Sequence, residues 1–208
     1  MADSTEYGQS AEHAVPVARE PRHRLRMSND VIRVYYVDLE PGESTLLHSH
    51  AHPYVTLVLE ASKILNAPED GPSRREVHEA GEAFIAPAGT VHTVKNVGEA
   101  PFRNYTVALT RREPHARPSS LVRLQKDGKA TMLTRSPHAS AATIVLEKGE
   151  DVVLIGDMLT TLMNDGEVEV CSVEGDQVLQ EPEAFVFTSG ITKLQSRKDA
   201  RLVVMEIN

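Results

Sequence analysis

Gly81-Glu82-Ala83-Phe84-Ile85-Ala86-Pro87-Ala88-Gly89-Thr90-Val91-His92-Thr93-Val94-Lys95-Asn96 is the stretch on which the fold turns. Ala83–Ala86 reads as a short apolar strand, Pro87-x-Gly89 as a tight turn, and Thr93–Asn96 as a second strand with His92 at its entry. Gly89 supplies the turn geometry and Asn96 is expected to bond a turn backbone. Upstream lies Gly42-x5-His48-x-His50. Residues i and i+2 of a strand point to one face, so His48 and His50 aim together. If the strand of His92 pairs nearby, three imidazoles converge. Neutral imidazole is the commonest side-chain metal ligand, and three protein ligands leave positions open for chemistry.

Around this core almost nothing reads as a helix. The first half offers strands near Val31–Leu39, Ser44–Leu47, Tyr54–Leu59 and Phe102–Leu109. The second offers Ala142–Leu146, Val152–Ile155, Leu159–Met163, Glu167–Ser172, Ala184–Phe187 and Leu202–Ile207. Short β-branched runs between turn signals predict a sandwich or barrel. Residues 1–28 read as an arm, and Arg111–Ser120 (RREPHARPSS) as a linker. The halves repeat in order: Leu39-Glu40-Pro41-Gly42-Glu43 matches Leu146-Glu147-Lys148-Gly149-Glu150 at an offset of 107, and Glu82–Gly89 resembles Glu183–Gly190 at an offset of 101.

The two motifs resemble the signatures of the cupin superfamily, Gly-x5-His-x-His-x3,4-Glu-x6-Gly and Gly-x5-Pro-x-Gly-x2-His-x3-Asn. The second is matched at every fixed position, a chance of about 10⁻⁴ or less anywhere in the chain. The resemblance covers about residues 31–110 well and the second half weakly. It implies an all-β chain of double-stranded β-helix, or jelly-roll, barrels, two in tandem: an arm at 1–28, a metal-binding domain at 29–112, and a degenerate domain at 118–208 without metal ligands. By that resemblance His48, His50 and His92 take the family's three histidine positions. The ion would be one divalent metal, Fe(II) foremost, with Ni, Mn, Zn or Cu also suited to nitrogen donors.

The chain departs from the signature where the family carries a glutamate ligand: here stand Tyr54 and Val55. Tyr54 is the candidate catalytic residue, with three readings open. It fills the barrel beside the metal with its hydroxyl on a metal-bound water, it is plain core, or it ligates as phenolate. His52, held extended by Pro53, reads as a rim residue rather than a ligand. His13, His23, His78, His115 and His138 read as solvent-facing. In the second copy Ile155 and Asp157 stand for His48 and His50, and Lys193 for His92, so no ligand trio is expected there.

Composition narrows the function. A net charge of −8, no tryptophan and few other aromatic residues argue against nucleic acid. The small basic groups Arg22-His23-Arg24-Leu25-Arg26 and Arg111-Arg112 read as solvated loop charges. With one cysteine, Cys171, an intrachain disulfide is impossible. No apolar run suits a membrane span and no secretory leader is visible, so the expectation is a cytoplasmic protein. Open strand edges lead us to expect a homodimer. Three neutral imidazoles leave the full +2 charge on an ion, which favours a small anionic, bidentate substrate. The lack of the glutamate likens the site to the three-histidine cupins, thiol dioxygenases and ring- or diketone-cleaving dioxygenases among them. A non-oxidative isomerase or lyase and a non-catalytic small-molecule-binding module are the rival readings.

Overall fold

The structure, a computed structural model, describes residues 14–111 and 118–208. The first stretch forms β1 (Val15–Pro16), β2 (His23–Ser28), β3 (Ile32–Leu39), β4 (His48–Ser49), β5 (Tyr54–Glu60), β6 (Ser62–Pro68), β7 (Arg74–His78), β8 (Ala83–Ala86), β9 (Val91–Asn96) and β10 (Phe102–Leu109). The second opens with a short helix, α1 (Ser120–Lys126). It continues as β11 (Ala130–Arg135), β12 (Ala139–Leu146), β13 (Asp151–Ile155), β14 (Asp157–Leu162) and β15 (Glu167–Ser172). It ends with β16 (Gly175–Leu179), β17 (Phe185–Thr188), β18 (Ile191–Lys198) and β19 (Ala200–Ile207). The described residues fall into two compact units: those up to Ala80 with Ala86–Thr110, and Gly81–Ile85 with those from Arg111 onward.

Each stretch builds one jelly roll. In the first, one sheet has the order β1-β4-β9-β6-β7 and the other β2-β3-β10-β5-β8. In the second, the orders are β13-β18-β15-β16 and β11-β12-β19-β14-β17. These are the same order, strand for strand, apart from β1. Ile32 and Ala139 begin equivalent strands, at the offset of 107 read from the sequence. The fold is thus all-β, with two tandem double-stranded β-helix barrels.

Two elements differ from expectation at the first barrel. Residues 14–28 are not an arm: β1 pairs in parallel with β4, Val15 opposite His48, and β2 pairs with β3, His23 opposite Val37. The basic run hid this strand, because Arg24, Leu25 and Arg26 are exposed and only His23 turns inward. Such charged faces suit an edge strand. Arg22 pairs with Glu43 at 2.6 Å, and Arg24 and Arg26 lie over the Tyr36 ring, so these charges are engaged rather than merely solvated. β6 and the edge strand β7 also escaped the sequence reading, being short of apolar alternation.

The motif asparagine is a structural hub. Asn96 is fully buried; its Nδ2 donates to the Leu39 and Ala100 carbonyls, each at 2.8 Å, and its Oδ1 accepts from Gly98 N–H and the Ser62 hydroxyl, each at 2.9 Å. All four hydrogen-bonding positions of the amide are therefore filled. Gly89 has a φ of 82°, a conformation that side chains other than glycine's resist.

The second barrel is closed from within. Leu121 and Leu124 of α1 join a core with Ile144, Leu154, Met158, Leu194 and Leu202. Ser119 caps the helix, and buried Glu206 accepts from the Ser119 hydroxyl and, at 2.9 Å, from Ser120 N–H. The helix begins where the linker was expected to end; of that linker, residues 112–117 lie outside the described residues. Arg111, expected as a solvated charge, is half-buried and ion-paired with Asp157.

The equivalence drawn between the copies needs shifting by one residue. β13 pairs β18 as β4 pairs β9, but the buried pairs in that ladder are Val152 opposite Leu194 and Leu154 opposite Thr192. Ile155 is 46% exposed and Lys193 pairs with Asp151 at the surface. Asp157 is held by Arg111 and by Ser189. Leucine, threonine and a plugging helix thus stand where the first barrel keeps histidines. Leu121→Ala should cost about 2–5 kcal/mol, read from denaturant unfolding. A loss under about 1 kcal/mol would mean that α1 does not hold this core together.

Candidate metal centre

Local pairing aims the histidines. β4 is only two residues long, and His48 lies directly opposite His92 on β9. His50 lies just past the strand yet stays in register: its N–H donates to the Thr90 carbonyl at 2.9 Å, and its carbonyl accepts from Gly89 N–H at 2.8 Å. The Pro87-x-Gly89 turn therefore fixes His50 and His92 together. His48, His50 and His92 are all buried. Ring centroids are 4.7 Å apart for His48–His92, 4.9 Å for His48–His50 and 5.3 Å for His50–His92. The three ring centroids thus lie within 5.3 Å of one another.

A fourth joins them. His23, expected to face solvent, is buried on β2 with its ring 4.7 Å from that of His48 and 6.0 Å from that of His50. His23, His48 and His50 bring ligand atoms within 4.8 Å of one another, a group that could hold a metal ion. Sequence reading missed His23 because it sits inside a basic run; its one local signal is Glu20, three residues earlier.

The outer nitrogens fix the tautomers. His48 Nδ1 lies 2.9 Å from the Leu46 carbonyl, His92 Nδ1 lies 3.0 Å from Asn66 Oδ1, and His23 Nδ1 lies 2.7 Å from Glu20 Oε2. An oxygen acceptor at each Nδ1 places the proton there and leaves Nε2 as a bare lone pair. His48 Nε2 and His50 Nδ1 are buried without a hydrogen-bond partner, and buried polar atoms are seldom left so. His50 Nε2 stands 3.3 Å from His92 Nε2. Two nitrogens sharing one ion at about 2.1 Å stand about 3.0–3.4 Å apart. The residues present fit a divalent metal.

Electrostatics agree. Burial, then the neighbouring His23, holds His48 down at about 4. Burial and the surrounding imidazoles hold His50 at about 2 and His92 at about 3. All three are neutral near pH 7, the form that binds metal. Burial pushes the Glu20 carboxyl up, but the His23 hydrogen bond and the Leu46 N–H outweigh it and leave it below the usual value.

Tyr54 packs its ring flat on His50, with centroids 3.9 Å apart and planes 19° from parallel. Burial, opposed by a hydrogen bond with Thr90 and reinforced by Glu76, raises its phenol to about 12. It is a phenol at neutral pH. His52 is half-buried. His78 is not solvent-facing: it stacks on Phe102 and lies 3.2 Å from Glu76. His138 is half-buried. His13 and His115 lie outside the described residues.

Comparison with known proteins bears on the fold. Residues 35–108 match the model of the family described as Cupin domain. No curated protein matches the sequence. Among solved structures, AerE from Microcystis aeruginosa is similar over 91% of this chain and 98% of its own, with a TM-score of 0.65 and 13% identity. Salicylate 1,2-dioxygenase from Pseudaminobacter salicylatoxidans is similar over 93% of this chain and 79% of its own, with a TM-score of 0.61 and 13% identity. The same enzyme as adducts with gentisate gives 93% and 75%, a TM-score of 0.63 and 13% identity. At such identities the likeness is one of fold. The resemblance to the cupin superfamily read from the two motifs is borne out: the chain has a cupin fold of two barrels, the first lined with histidines and the second without them. No helix among the described residues is long and apolar enough to cross a membrane.

Proposed function

We propose that the first barrel is a mononuclear non-haem metal centre held by His48, His50 and His92, and that the protein is a small-molecule enzyme of the three-histidine dioxygenase type. The observation that carries this reading is the orphaned, buried His48 Nε2 beside the His50–His92 contact of 3.3 Å. When bound, the metal would supply Lewis acidity and, as Fe(II), a place for O₂. The chain supplies the rest. Leu46 and Asn66 hold the Nδ1 protons of His48 and His92, fixing which nitrogen faces inward. Tyr54 stacks on His50 and keeps that ring from turning. Buried Tyr35, Thr56 and Thr106 help exclude water. Neutral donors leave the positive charge uncompensated within the trio, which suits a small anionic, bidentate substrate. Gentisate, bound by a structurally similar dioxygenase, is of that kind.

The test is anaerobic loading with Fe(II), followed by oxygen-electrode measurements with small chelating anions, hydroxybenzoates and thiol-amines included. Substrate-dependent O₂ uptake that disappears in His92→Ala is the expected outcome. Stoichiometric metal with no turnover would hand the site to the rival reading, a small-molecule-binding module. Substrate conversion without O₂ uptake would favour an isomerase or lyase. A homodimer in the cytoplasm belongs to the same proposal; exposed Ile155 and Ile191, paired side by side on β13 and β18, offer an apolar patch for it. Light scattering that finds only monomer at micromolar concentration contradicts it.

A further inference from the structure

Glu20 is the one buried carboxylate among the described residues of the first unit, with only 2% of its surface exposed. Its Oε2 accepts from His23 Nδ1 at 2.7 Å, from Arg22 N–H at 2.8 Å and from His23 N–H at 3.0 Å; its Oε1 accepts from Leu46 N–H at 3.1 Å. The Leu46 peptide is the same one whose carbonyl holds His48. One carboxylate therefore fixes His23 on β2 and, through Leu46, the approach to His48 on β4. Desolvating a carboxylate costs several kcal/mol, and a residue serving only to anchor an edge strand would not need to sit in the histidine cluster. His23 spends its Nδ1 proton on Glu20, which turns Nε2 into a lone-pair donor. The ligand atoms of His23, His48 and His50 lie within 4.8 Å of one another, and His92 adjoins this group through His50, with the two Nε2 atoms 3.3 Å apart.

We infer that His23 is a fourth imidazole ligand of the metal centre, and that Glu20, acting through His23, supplies the negative charge missing at Tyr54–Val55. This rests on the metal-centre reading above and extends it. A carboxylate accepting the outer N–H of a ligating imidazole raises that imidazole's basicity, so part of the carboxylate charge reaches the metal one ring removed. The vacant glutamate position on β5 is thus answered from the edge strand β2 of the same sheet, by the segment that precedes β3. His23 is a ligand and Glu20 a positioning residue.

The probe is Co(II), titrated into the full-length protein and followed by visible absorption and competition with a chelator. His23→Gln removes the imidazole while leaving an amide donor for Glu20, so the buried carboxylate is not stranded. The expected result is weaker Co(II) binding in His23→Gln, by about 10–100-fold or more, with an altered visible spectrum, and a loss of about 10-fold or more in Glu20→Gln. If His23→Gln and Glu20→Gln match the wild type in affinity and spectrum while His48→Ala loses Co(II), His23 is no ligand and the three-histidine reading stands alone. If His48→Ala binds Co(II) like the wild type, or the folded wild type binds none, both readings fall. Imidazole scattering from Co(II)-loaded wild type, fitted by three rings rather than four, would also overturn the proposal without any variant.

Discussion

His48→Ala and His92→Ala should each weaken divalent-metal binding by about 100-fold or more, whereas His138→Ala should leave it within about 2-fold of the wild type. His48 and His92 are buried, with the outer nitrogen committed to the Leu46 carbonyl in one case and to Asn66 Oδ1 in the other. Removal of either leaves both a missing donor and a cavity that water alone can fill. Calorimetric titration with Zn(II) or Co(II) reads the effect, and circular dichroism shows whether the barrel survives. His138 lies in the second barrel, whose core carries Leu154 and Thr192 in the matching ladder. A folded His92→Ala protein that binds one ion at wild-type affinity would remove His92 from the centre.

Asn96→Ala should destabilise the protein by about 3 kcal/mol or more. The substitution strands the Leu39 carbonyl and frees the Gly98 N–H, and it leaves the Ala100 carbonyl and the Ser62 hydroxyl only their mutual 3.1 Å bond, around an amide that is fully buried. Ser62→Ala removes one of those four bonds and should cost about 1 kcal/mol. The ratio between the two, measured by urea unfolding, separates a hub from an ordinary buried polar residue. Equal small losses would mean that the amide's network carries little of the fold.

The legible parts of the chain were those where a residue type has one physical use. Gly89 and Asn96 flagged a turn and a buried amide, His48 and His50 flagged one face of a strand, and the pair of Gly-Glu motifs flagged the repeat. β10 and β15 were placed to the residue because their apolar runs end at turn signals. What stayed hidden had its pattern masked by charge or brevity. β2 reads as a basic loop because only His23 faces inward, so the histidine that joins the cluster looked like a surface one. β6 and the edge strands β7 and β16 carry few buried residues. The helix α1 has its signals, Ser119 as cap, Leu121 and Leu124 three apart and Gly128 beyond its end, but its cap lies inside a proline-rich segment that reads as a linker. In the second copy a motif alignment cannot tell which of two adjacent residues faces inward, and burial shows it is Leu154 and Thr192 rather than Ile155 and Lys193.

X-ray absorption at the metal edge of the wild-type protein, loaded with one equivalent of Fe(II) without oxygen, tests the centre most directly. Nitrogen scatterers at about 2.0–2.2 Å with the outer-shell pattern of at least three imidazoles are the predicted result. A first shell of oxygen alone, with no imidazole pattern, would show that the ion sits elsewhere and that the buried histidines of the first barrel do not bind it.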